Sequence, residues 1–431
     1  MSKERISLRG AISIGVGGMV GGGIFAVLGL AISLSKGATP VAFLIAGIIA
    51  LFTAYSYSKL SIAFPDSGGT VKFINEGFGK NTFSGGLNNL LWISYIIMLA
   101  LYASAFGSYA PNLYSITGEN ATDSHIYITA IVLVGTIINY FSAKLVSNIE
   151  SYAVIVKVFI LLGFIGIGAY GLIGSDHVSQ LNPSNWEGAF QIITGGMVIF
   201  VAYEGFELIA NSVSGLSDPE KNIPKAYFYS VGFVVLLYIA IAIIAVGSLS
   251  FGEISKAKDY VLSEVARPSL GQAGFTIMTI AALISTFSAI NATLYGGSRV
   301  NFKVAKEDEL PHEFTAKLWN HPVGLAIISI ATLLLANLAQ LESISTSGSA
   351  GFLLLFAVVN YTAYKKRSDI KASSILTIIG TILCAVAFVV LIVQQTQSNL
   401  TGVLIIAGII AACFLMEYIY KRSEKNNKAA D

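Results

Sequence analysis

Long apolar runs separated by short polar stretches fill the chain from residue 10 to residue 420. About twelve can be traced, over residues 10–33, 37–63, 83–112, 125–142, 150–174, 188–213, 224–249, 272–304, 322–340, 343–364, 372–394 and 400–420. Most contain about 20 apolar residues in succession, the length with which a helix crosses a bilayer. The pattern predicts an all-α polytopic membrane protein with about twelve transmembrane helices. The longest polar connections are 64–82 and 305–321 on one side and 250–271 on the other. No stretch reads as a soluble domain, so residues 1–431 are expected to form one transmembrane unit.

Composition agrees. The chain has 431 residues, 55% hydrophobic and only 12% charged, with a mean hydropathy of +0.73. That is too little charge to clothe a soluble protein of this size. The first apolar run follows Lys3, Arg5 and Arg9 and lacks a small-residue exit, so it reads as a spanning helix rather than a cleaved leader. Most of the 26 Lys and Arg residues fall on the side shared by both termini, with Lys36, Lys256, Lys258 and Arg267 on the other. The positive-inside bias places both termini in the cytoplasm, in a plasma membrane. No nucleic-acid partner and no cofactor is expected. Cys384 and Cys413 lie within apolar runs and read as small fillers.

Within the loop 64–82, "FPDSGGTVKFINEGFGK" opens with turn residues and then sets Val71, Phe73, Ile74 and Phe78 at helical spacing. This predicts a short helix lying along the membrane surface.

The first run contains "VGGMVGGGIF", with six glycines between Gly15 and Gly23. Each costs a helix about 1 kcal/mol against alanine. Close packing of small residues is one explanation, and the four-residue spacing of Gly17 and Gly21 fits it. The other is an interruption at Gly21–Gly23, tolerable at mid-membrane only where freed backbone groups line a cavity or hold a ligand. A second site favours the interruption. Five spans later, "FVAYEGFELIAN" places Gly205 between Glu204 and Glu207, and carboxyl groups at that depth are costly unless they meet water or a partner. Interrupted helices in corresponding positions of two halves point to an inverted-repeat transporter.

An interrupted first helix exposes the N–H groups of Gly22, Gly23 and Ile24, an anion site suited to a substrate carboxylate. The sixth exposes carbonyls near Val201, Ala202 and Glu204, suited to an ammonium. Glu204 has two readings. It either enters the pocket and favours a cationic side chain or a second amine, or turns away to neighbouring helices. Met19, Tyr203, Gly205 and Thr293 are further candidates for the lining, as are Phe206, Tyr95, Tyr102 and Asn291. An embedded enzyme would need a catalytic set, but the histidines, at 125, 177, 312 and 321, fall at helix ends or in loops and form no metal-ligand motif. A channel would need repeated carbonyl or charge rings. Neither is indicated, and oligomeric state is not legible.

The motifs resemble those of the amino acid–polyamine–organocation transporters, and among them the archaeal and bacterial proton-coupled amino acid permeases. "GGGIF", "FPDSGGTVKFI", "FVAYEGFE", "DPEKNIPKA" and "GGSRVNFKVAKEDELP" occur in the order of that family's signatures. Lys59, Ser61, Gly22, Glu204 and Asp218 depart from the usual pattern. The resemblance implies a LeuT-like five-plus-five inverted repeat with helices one and six broken, here 1–174 and 186–367. Two further helices and a tail would follow in 368–431. It implies alternating access around a midplane amino acid, the same carboxylate and ammonium sites, and no sodium. A fifth-helix lysine, here Lys157, would couple transport to protons by bridging the carbonyls near Gly17 to hydroxyls among Ser285, Thr286 and Ser288. Glu207 would serve in gating, proton transfer or structural pairing. Exchange of one amino acid or polyamine for another, without proton coupling, remains the alternative.

Overall fold

The computed structural model describes residues 6–66, 68–141, 143–306, 317–318 and 321–428. Lys3, Arg5, Ser67, His312 and most of the loop 305–321 lie outside the described residues. The chain runs through α1 (Leu8–Met19), α2 (Gly23–Ser35), α3 (Thr39–Ala63), α4 (Thr70–Phe78), α5 (Thr82–Tyr109), α6 (Asn120–Phe141) and α7 (Ala143–Gly171). It continues through α8 (Ala189–Val198), α9 (Pro219–Ser248), α10 (Phe251–Lys256), α11 (Val261–Lys306), α12 (Val323–Leu338), α13 (Leu341–Lys365), α14 (Ser374–Ser398) and α15 (Leu400–Lys428). Apart from isolated bridges, strand pairing among the described residues is that of Lys317–Leu318 against His321–Pro322. Nine of the described helices are long and apolar enough to cross a membrane. Two bent pairs, α1 with α2 and α8 with the segment Phe200–Gly215, each add a candidate span, making up to 11. The expected ninth span is the shorter apolar helix α12, of 16 residues.

Burial sorts the helices. α5 is enclosed along almost its whole length, whereas α6, α7, α14 and α15 expose most of theirs. What they expose includes large apolar side chains such as Ile137, Phe159, Ile382 and Leu404. An outer surface of this kind suits lipid rather than water.

Two local findings differ from expectation. α4 forms at the predicted place, but its apolar face is not turned to lipid. Val71, Phe73 and Ile74 are buried inside the protein, where α4 packs on α5 and α13. Lys365 Nζ donates to Gly77 O at 2.7 Å near its end. The connection 250–271 is also more ordered than its polarity suggested. It holds α10, with a Ser250–Glu253 capping box, and α11 already starts at Val261, kinked at Gly271 (φ 59°).

The two bent spans lie alongside one another with opposite course. Ile6, just before α1, accepts from Ser217 N at 3.0 Å and donates to Gly215 O at 2.8 Å. At the far end Lys36 pairs with Trp186, and Gly37 N donates to Asn185 O at 3.2 Å. The start of one span is thus tied to the end of the other at both extremities.

Candidate substrate site

α1 stops at Met19. Val20 still donates to Val16 O at 2.8 Å, Gly21 and Gly22 make the turn, and α2 starts at Gly23 with its axis bent by 47°. Consecutive glycines weaken the helix here, and they also let other chains come close. A Cβ on Gly22 would enter the Tyr102 ring, and one on Gly23 would stand 2.9 Å from Ala202 Cα.

The second interruption is longer. α8 ends at Val198, Phe200–Tyr203 form a 3₁₀ turn, Glu204 is extended, and Gly205 has φ +117°, a conformation that favours glycine. Phe206–Gly215 then continues as a ten-residue 3₁₀ helix bent by 48°, not as the α-helical half that a simple break would give. Such a length is unusual for 3₁₀ geometry. The two breaks touch. A Cβ on Gly18 would lie 2.8 Å from Gly205 O, and one on Gly205 would lie 2.6 Å from Met19 N.

Three carbonyls where α1 ends are met by three different helices. Lys157 Nζ on α7 donates to Gly17 O at 2.8 Å. Tyr238 on α9 donates to Met19 O at 2.7 Å, and Ser285 Oγ on α11 to Val20 O at 3.3 Å. Lys157 is 0% exposed. On the sixth span, Ser345 and Ser349 of α13 both donate to Val198 O at 2.9 Å, and Ser349 Oγ also accepts from Val201 N at 3.0 Å. Tyr238 reaches Ala202 O as well, at 3.1 Å. These partners satisfy the carbonyls that helix ends leave over. The first-turn N–H groups of α2 have no acceptor within their own helix, for the same geometric reason.

Glu204 and Glu207 sit between the breaks, 4% and 2% exposed. Tyr102 OH donates to Glu204 Oε2 at 3.3 Å, and Gly205 N to Glu207 Oε2 at 2.7 Å. Glu204 and Tyr95 lie beside the Glu207 carboxyl group. No ion pair reaches either carboxyl group among the described residues. Because Tyr102 packs on Gly22 and also bonds Glu204, Glu204 belongs to the region of the breaks.

The remaining candidates divide. Ile24, Met19, Val201, Ala202 and Tyr203 are all buried where the two spans meet, with Tyr203 OH turned to Phe43 O at 2.8 Å. Phe206 joins an aromatic cluster on the α4 side, where Tyr57 has Phe206 and Phe356 at 5.6 Å and Phe73 at 5.7 Å between ring centroids. Ser288 is buried on α11, while Thr286 Oγ1 bonds back to Ala282 O at 2.7 Å in its own helix. Thr293 is half-buried, one turn past the Ala289 that backs Gly21. Asn291 is not in the site. It accepts from Asn139 Nδ2 on α6 at 3.2 Å, on another face of α11. Tyr238, Ser345 and Ser349 were missed. A run of small polar residues inside a span, Ser343–Ser349, was a readable signal for the serines, but nothing marked one tyrosine among many.

The sequence model of the family described as amino acid permease matches residues 6–414, both breaks included. The chain belongs to the amino acid permease family. This permease is 33% identical over 431 residues to an uncharacterized protein of Methanocaldococcus jannaschii, covering 99% of this chain and 97% of that one. It is 32% identical over 423 residues to the inner membrane transport protein YbaT of Escherichia coli, with 97% of each covered. Against the branched-chain amino acid permease BcaP of Bacillus subtilis it is 24% identical over 388 residues, covering 83% of this chain and 80% of that one. The permease is therefore a multi-pass membrane transporter rather than an enzyme.

Proposed function

We propose that this permease is a secondary active transporter that carries amino acids across the plasma membrane by alternating access. It is driven by protons and independent of sodium. In this reading the substrate carboxylate is held by the N–H groups of Gly22, Gly23 and Ile24, at the positive end of α2. Its ammonium is held by backbone carbonyls at Met19 and from Val201 to Glu204. Access alternates around these breaks, one contributed by each of the repeats 1–174 and 186–367, and both termini are cytoplasmic.

The observation that carries the coupling is the Lys157 ammonium on Gly17 O, at 2.8 Å and wholly buried. A buried lysine is stabilised in its charged form only by what it bonds, so its proton and the position of α1 are linked. Protonated, Lys157 pins α1 to α7; neutral, it loosens that tie.

The test is uptake of labelled alanine, leucine, glutamate, lysine and putrescine into proteoliposomes, with and without an inward proton gradient and with sodium varied. The expected result is gradient-driven, sodium-independent uptake of at least one amino acid. Lys157→Ala should lose the response to the gradient. A Lys157→Ala variant that still concentrates substrate with the gradient overturns the coupling role. Uptake seen only into vesicles preloaded with amino acid replaces symport by exchange.

A further inference from the structure

Tyr238 bonds both breaks directly. Its hydroxyl lies 2.7 Å from Met19 O, the last residue of α1, and 3.1 Å from Ala202 O, just before the sixth-span break. The ring is held firmly. It packs against Tyr203 at 5.3 Å and Phe43 at 5.6 Å between centroids, and Tyr203 is itself anchored on Phe43 O. A hydroxyl has a single hydrogen, yet here it faces two carbonyl oxygens from two different spans. An ammonium, with three N–H donors, would serve both fully.

We propose that the Tyr238 hydroxyl stands in for the substrate's amino group. It closes the two breaks on each other when the carrier crosses the membrane without substrate, and so decides whether the protein performs net transport or only exchange. The inference rests on the proposed site, because it takes Met19 O and Ala202 O as acceptors for the substrate ammonium. With an amino acid bound, those carbonyls have donors whether or not the hydroxyl is there. Without one, the described donor to both is Tyr238. Burying a carbonyl with no donor is costly, so the crossing that needs Tyr238 is the unloaded return step. Net uptake requires that step in every cycle, and exchange omits it.

The experiment compares wild type and Tyr238→Phe in proteoliposomes, using the labelled amino acid taken up fastest in the panel above. Phenylalanine keeps the ring that packs on Tyr203 and Phe43, and thermal unfolding in detergent checks that the variant folds. Net uptake should fall about tenfold, the effect of one lost hydrogen bond on the limiting step. Exchange into preloaded vesicles should keep its rate and half-saturating concentration within about twofold. Equal losses in both modes, or no change in either, overturn the proposal. So does a wild type that exchanges without net uptake. The same acid lacking its amino group tests the site separately. If wild type carries it as well as the amino acid, the ammonium site is wrong. If wild type rejects it and Tyr238→Phe still shows parallel losses, only the role of Tyr238 fails.

Discussion

The two breaks meet at Gly18 and Gly205, yet they are built on different principles. The first is made almost entirely of glycine and carries no polar side chain from Gly15 to Phe25. Its support comes from outside, through Lys157, Tyr238 and Ser285, one from each of three helices. The second brings its own chemistry. Glu204 and Glu207 flank Gly205, and Glu207 folds back to cap the Gly205 N–H. Its carbonyls lean mainly on α13, where Ser345 and Ser349 share Val198 O. A bare break takes its polar partners from neighbouring helices, whereas an acidic break carries a side chain that bonds its own backbone. The comparison teaches that two interruptions in contact can be stabilised by opposite means.

The largest effect expected from this contrast is at the point of contact. Gly205→Val puts a branched side chain at φ +117° and against the backbone of Gly18 and Met19. It should cost more than about 3 kcal/mol and leave no folded protein on thermal unfolding in detergent. Gly22→Ala in the first break meets the buried Tyr102 ring, which must shift, but at φ −80° it strains no backbone. That variant should be less destabilised than Gly205→Val and yet lose most uptake, because the displaced Tyr102 ring also carries the bond to Glu204. If both variants fold equally well, the strain is not concentrated in the second break. A smaller effect is expected at the α13 support. Ser345→Ala and Ser349→Ala should each cost about 1 kcal/mol, and the double variant more than their sum, since Val198 O then loses both donors. Additive melting shifts would show that the two serines do not share one acceptor in energetic terms. The smallest belongs to a control outside both breaks. The Lys258–Glu342 pair, 2.9 Å apart and 33% and 47% exposed, joins the connection after α10 to α13. Lys258→Ala should change stability by about 0.5 kcal/mol or less.

Much of the fold was legible because each span must satisfy its own backbone in lipid, so its location is written in a local run of apolar residues. The short unbroken apolar helix α12, of 16 residues, was still visible in this way, and α4 was placed correctly. The side to which α4 turns was not. Val71, Phe73 and Ile74 would face lipid or protein with the same spacing, and only the neighbouring α5 and α13 decide. The sixth-span 3₁₀ segment was likewise invisible, since apolar residues at helical spacing suit either geometry.

For the site, the sequence by itself determined that two spans are interrupted, where each interruption lies, and that one is bare and the other acidic. Glycine runs and intramembrane carboxyl groups announce themselves locally because each carries a cost that only a special setting removes. The family resemblance already pointed Lys157 at the carbonyls near Gly17, where its Nζ lies, and named Ser285; only the tertiary structure put Ser285 on Val20, Ser349 on Val198 and Val201, and Tyr238 on both spans at once. It also sent Asn291 to Asn139 and away from the substrate region. The reason is physical. A freed carbonyl can be met by any donor that packing brings within about 3 Å, and in a helix bundle that donor can lie hundreds of residues away in the chain.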